Sequence, residues 1–232
     1  MTGTSQGACS LRAVPSAAKP KALVKPRLRG VSHQIAAFVA LLAGGALTAA
    51  APTHDSRMAA AIYTASLVAL FGISAAYHRP TWKPRARQWM RRLDHSAIFL
   101  LIAGTYTPLT LALPPAEGAS LRTVAWCGAL AGVLQSILWV TAPKPLIAVI
   151  YVILGWSIIP YVKAMHAAVG LLPLAMILGG GVIYSLGALV YARRKPDPIP
   201  AVFGYHEVFH ALTIVAAIIH FTAAAGIVMN AR

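Results

Sequence analysis

The sequence predicts an all-α integral membrane protein, a seven-transmembrane helix bundle with its N-terminus in the cytoplasm and its C-terminus outside. Three observations predict it. Of the 232 residues 58% are hydrophobic and only 11% charged, whereas a soluble domain needs about a quarter of its residues charged to cover its surface. The apolar residues gather into runs long enough to cross a hydrocarbon core of roughly 30 Å as helix. The Lys and Arg residues fall in alternate connections between those runs. In lipid each segment must satisfy its own backbone, so unbroken runs of this length are helices.

Residues 1–30 are rich in Ala, Ser, Pro, Lys and Arg and lack the apolar stretch of a signal peptide. They read as a basic, disordered cytoplasmic tail ahead of a membrane domain over 31–232. Lys19 to Arg29 suits anionic headgroups and fixes orientation. The first span runs from Ser32 to Ala51 and carries Gly44-Gly45, which permits close helix approach. The second, Met58 to Tyr77, stops at His78, because the residue ahead of a proline disfavours helix and Arg79-Pro80 follows. The third, His95 to Leu113, holds Gly104-Thr105-Tyr106-Thr107-Pro108, either a kink with packed hydroxyls or a hydroxyl-lined cavity. The fourth covers Val124 to Thr141. The fifth, Pro145 to Tyr161, is short and closed by Pro160. The sixth, Leu171 to Tyr191, contains Gly179-Gly180-Gly181, and the seventh runs from His206 to Met229.

Counting Lys and Arg orients the bundle. One set of connections, with the leader, holds sixteen of them and the other set only Arg57, Arg122, Lys163 and Arg232. The positive-inside rule puts the richer set in the cytoplasm, so the protein is multi-pass in the cell inner (plasma) membrane. The net charge of +15 thus reports orientation, and no nucleic-acid partner is expected. Cys9 and Cys127 differ too much in setting to form a disulfide framework.

Ionisable residues in lipid are costly, and they mark function by where they fall. Here His33, Ser74 with His78, Asp94 with His95, and His206 with Glu207 and His210 all lie at helix ends facing the cytoplasm. His206 and His210, four apart, share a helix face and can clasp one metal ion. His78 adds a third imidazole. Three histidines without thiolates leave one position of tetrahedral Zn²⁺ open, the pattern of a catalytic site. Each histidine also has a plainer reading as a headgroup contact or helix cap, and Asp94 could cap its helix or pair with Arg91 or Arg92. His54 and His166 read as solvated loop residues. His220, well inside the last span, reads as a neutral imidazole bonded to a neighbouring helix. His33 stays open between supporting the cluster and marking the boundary. His95 points about 100° round the helix from Asp94.

The segments Ser74-Ala-Ala-Tyr77-His78-Arg79, Leu93-Asp94-His95-Ser96-Ala97-Ile98 running on to Gly104-Thr105-Tyr106-Thr107-Pro108, and His206-Glu207-Val208-Phe209-His210 together resemble the hemolysin III family, the bacterial branch of the progestin and adipoQ receptor family. The resemblance covers His33 to the C-terminus. It implies zinc held by His78, His206 and His210, with Ser74 and Asp94 about the metal-bound water. One departure is that the family usually carries Glu and Asn on the approach to the first-span histidine, where this chain reads Lys25-Pro-Arg-Leu-Arg29-Gly-Val-Ser-His33. Eukaryotic relatives look like lipid-amide hydrolases and hormone receptors, and bacterial members carry a haemolytic name and links to membrane energetics. Two classes of function follow. One is a metallohydrolase of a membrane lipid amide or ester, with Asp94 as general base and Glu207 as its rival. The other is a channel or regulator in which zinc is structural.

Overall fold

The structure, a computed structural model, describes residues 25–231. The greater part of the expected tail, with Cys9, lies outside the described residues. Its last stretch belongs to the folded unit: the amides of Arg27 and Leu28 donate to the carbonyls of Ala201 and Val202, and Lys25 Nζ donates to Arg79 O at 2.8 Å. Helices follow as α1 (Val31–Ala50), α2 (His54–His78), α3 (Pro84–Leu109), α4 (Pro115–Leu138), α5 (Lys144–Gly155), α6 (Val162–Val169), α7 (Leu171–Arg193) and α8 (Tyr205–Asn230). With α5 and α6 counted as one crossing, seven are long and apolar enough to span a membrane. Among the described residues there is no β-strand, only an isolated bridge between Ile199 and Phe203.

Several boundaries differ from expectation, the second helix starting at His54 rather than Met58, and those of the third, fourth and fifth spans have local reasons. The third helix begins at Pro84 rather than His95, because proline suits a first helical position and the basic stretch through Arg85, Arg87, Arg91 and Arg92 forms good helix. The fourth begins at Pro115 for the same reason and ends at Leu138. The fifth does not close at Pro160. It breaks first at Trp156, passes through a short 3₁₀ turn at Ile159–Tyr161 and resumes as α6. A broken helix at membrane depth needs partners for its freed backbone groups. Tyr106 Oη donates to Gly155 O at 2.5 Å, and Trp156 Nε1 donates to Ser185 Oγ at 2.9 Å, which ties the break to α3 and α7.

Consecutive helices α1 to α4 pack side by side, α5 lies on α7, and α8 closes the bundle against α7, α1, α2 and α3. The third helix is the axis, with Phe99 and Leu109 among the most deeply buried side chains. Where helices touch most closely, small residues make room. A Cβ on Gly44 would meet the side chain of Thr64, and one on Gly180 the ring of His220, whereas Gly45 and Gly179 face open space. The Thr105 and Thr107 hydroxyls bond back to the carbonyls of Leu101 and Ala103, at 2.8 and 2.9 Å, and Thr107 Oγ1 also accepts from Trp126 Nε1 of α4 at 3.2 Å.

Candidate metal centre

Two helix ends at the basic end of the bundle hold the three histidines. The second helix terminates with His78 in its last turn, closed by the Arg79 amide bonding Ala75 O, just ahead of Pro80 as the sequence requires. The eighth begins after Gly204, so His206 and His210 occupy its first two turns on one face. Their ligating nitrogens and that of His78 all lie within 4.8 Å of one another, and all three residues are buried. His78 Nε2 and His206 Nε2 stand 3.0 Å apart. At that separation only one proton fits between two neutral imidazoles, while a cation accepts both lone pairs at once. His210 Nδ1 is buried without a protein partner. The set of three neutral nitrogens with no thiolate fits a borderline-soft divalent ion, so this buried histidine group can hold a metal.

Around the trio stand further residues. The Asp94 Oδ2 atom lies 3.9 Å from His78 Nε2, and the Ser74 hydroxyl, one turn before His78, faces that carboxylate. Asp94 lies in the third turn of α3, whose N-cap is Lys83. It therefore does not cap its helix, and the pairing with Arg91 or Arg92 is absent among the described residues, where His78 is its only ion-pair neighbour. His33 stacks flat on His210, with ring centroids 3.8 Å apart and planes within 9°, and meets the Phe71 edge. It sits against the cluster rather than at a lipid boundary, 2% exposed. Gly30, at a left-handed φ of 78°, lets α1 start there: a Cβ on it would lie 2.9 Å from His78 Cβ.

Glu207 is committed elsewhere. It pairs with Arg29 and accepts the Gly204 amide at 2.9 Å, forming the N-terminal cap of α8, and it is 2% exposed. Those bonds commit its carboxylate to Arg29 and to the helix cap. Nothing in the sequence spacing announced this partner, since Arg29 lies 178 positions away among other basic residues. His220 bonds Ile177 O at 2.8 Å, the neighbouring-helix role expected of it. His54 and His166 are exposed as expected but not in loops: His54 opens α2 and His166 lies in α6, and neither lines the cavity beside the trio. His95 is buried, its carbonyl accepting from Tyr151 Oη at 3.0 Å, and stands outside the metal-competent group.

A cavity of about 1240 Å³ opens beside the trio, beyond the roughly 300–1,000 Å³ usual for small-molecule sites. Its mouth carries Lys25, Arg87, Arg91 and Lys144, and its inner walls carry Leu101, Ile102, Leu109 and Ile177 down to His220. Burial, then the neighbouring Arg29, Arg79 and Arg87, hold the Lys25 ammonium below its usual pKa. Sequence reading missed these mouth residues, because as isolated cations they look like orientation signals.

Comparison with known proteins agrees with this architecture. A family model described as haemolysin-III related matches residues 21–221. The hemolysin-3 homolog of Bacillus subtilis (strain 168) is 32% identical over 154 residues, covering 66% of this chain and 69% of that protein. Hemolysin-3 of Bacillus cereus is 31% identical over 169 residues, 71% and 77% of the two chains. The human monocyte to macrophage differentiation factor is 27% identical over 175 residues, 72% and 69%.

Proposed function

The chain belongs to the haemolysin III family of multi-pass membrane proteins, and we propose that it is a zinc-dependent hydrolase of a long-chain lipid amide or ester in the inner membrane, working from the cytoplasmic leaflet. The observation that carries this reading is the meeting of a three-nitrogen metal group, a carboxylate and a large cavity with apolar side chains in its walls. His78, His206 and His210 are the zinc ligands. When bound, zinc supplies the Lewis acidity that polarises a carbonyl and eases ionisation of water.

The protein's own residues do the rest. The inner walls at Leu101, Ile102 and Leu109 hold the acyl chain and exclude water from it. Asp94 Oδ2 takes the proton of the attacking water and returns it to the leaving nitrogen or oxygen as the C–N or C–O bond breaks, giving a fatty acid and an amine or alcohol. Ser74 holds the carboxylate in line. His33, stacked on His210, keeps that imidazole from turning.

The test is hydrolysis of long-chain amides and esters by the protein in liposomes, with and without a zinc chelator, alongside ion flux through the same liposomes. Chelator-sensitive turnover is expected. Zinc-dependent flux without turnover would refute the hydrolase and favour a channel or regulator in which the ion pins α2 to α8.

A further inference from the structure

We propose that the cavity takes a single-chain amphiphile whose headgroup is net anionic, a phosphate monoester or a carboxylate with no cationic group of its own, the anion resting on Arg91, Lys144 and Arg87 at the mouth while the chain runs inward past the histidine trio. This names the substrate class of the hydrolase and so rests on that reading. The argument begins with charge. Five cationic side chains line the cavity, Lys25, Arg29, Arg87, Arg91 and Lys144, against two carboxylates, Asp94 and Asp197. Arg29 is neutralised by Glu207. Asp197 is engaged by the Tyr205 amide at 2.7 Å, and Asp94 faces His78 and Ser74 deeper in.

Among the described residues no carboxylate pairs with Arg87, Arg91 or Lys144. Arg87 and Arg91 stand four apart on α3, and Arg194, Arg91 and Arg29 all act on Lys144 electrostatically. Positive charges gathered without counter-charge at the edge of a low-dielectric bundle raise one another's energy, and an anion between them relieves it. The Lys144 ammonium is held 4.7 Å from the Tyr191 ring and 5.8 Å from that of Tyr205. The two rings orient the ammonium while leaving its charge uncompensated.

Depth supplies the other half. The same cavity is lined by the trio and by Leu101, Ile102, Leu109 and Ile177, so a chain threaded from the mouth along those walls would bring its scissile bond to the trio, with the acyl part below and the headgroup above. The leaving group therefore carries the anion. A choline or free amine in that position would meet like charge and be rejected, which makes selectivity by headgroup sign the distinguishing property.

The experiment uses the full-length, zinc-loaded protein in nanodiscs and reads binding by calorimetry. The probes are a palmityl ether of glycerol phosphate, the phosphocholine ether of the same chain, and inorganic phosphate alone. The ether linkage keeps turnover out of the measurement. The phosphate ether is expected to bind about tenfold or more tightly than the phosphocholine ether, the size of a charge-assisted contact, with the preference shrinking as salt rises. Arg91→Gln and Lys144→Gln, singly and together, are expected to bring phosphate ether binding down to the level of the phosphocholine ether, with an unchanged metal content per chain reporting an intact fold. Equal binding of the two ethers by wild type overturns the proposal without any variant. A preference that survives the double variant overturns the residue assignment. Inorganic phosphate binding as tightly as the phosphate ether overturns the amphiphile and leaves a free-anion site. Headgroup selectivity without hydrolysis of any substrate upholds the ligand class and removes the hydrolase. Hydrolysis of neutral amides without headgroup selectivity does the reverse.

Discussion

At the residue scale, the trio and Asp94 make separable claims. Wild type should copurify with about one zinc per chain, and His206→Ala and His210→Ala should each lose most of it, because deleting one imidazole of three severely weakens a site that no thiolate supports. Elemental analysis per chain reads this directly, and full zinc in both variants would dismiss these ligands. Asp94→Asn should keep zinc content and melting temperature while lowering turnover roughly 10²-fold or more, the usual size of a general-base contribution. Turnover unchanged by Asp94→Asn would take Asp94 out of the mechanism. Much of this site was legible from residue types and spacing. The i, i+4 histidine pair, the proline after His78 and the shared depth of Asp94 each followed from helix geometry or chain stiffness. The Arg29–Glu207 pair was not, since a contact between chain ends depends on how the bundle closes and leaves no local period. The stacking of His33 on His210 escaped for the same reason.

At the element scale, the crossings were readable as apolar runs, but their ends were not. Hydropathy sees where lipid begins, whereas a helix stops where its hydrogen bonds do, so α3 extends eleven residues before His95 into the basic region. The broken fifth crossing hid behind continuous apolar character, since Trp156 to Ile158 looks like lipid-facing helix. Glycine positions offer a test at this scale. Gly180→Ala should destabilise the α7–α8 contact by about 1–3 kcal/mol, as overpacking does, because a methyl there runs into His220. Gly179→Ala, one residue away and facing open space, should be neutral or slightly stabilising through its better helix propensity. Thermal melting of both variants in detergent compares them, and equal melting points would contradict the packing described.

At the scale of the whole molecule, orientation decides where the cavity opens. With Cys9 and Cys127 replaced by Ser, a cysteine at Glu117 should react with an impermeant reagent in sealed cells and a cysteine at Arg87 should not. The opposite pattern would invert the protein and move its site to the outer surface. The same view gives the Arg29–Glu207 pair a meaning in descent. It joins the approach to the first helix with the start of the last, and one partner is 2% and the other 21% exposed. Losing either charge strands the other in a poor dielectric, so changing both together costs less than the sum of the two single changes, although the Gly204 amide then needs another acceptor. The two positions are therefore bound epistatically: a lineage crosses from a charged to an uncharged seam here through a disfavoured single mutant, and the two sites are inherited as one character.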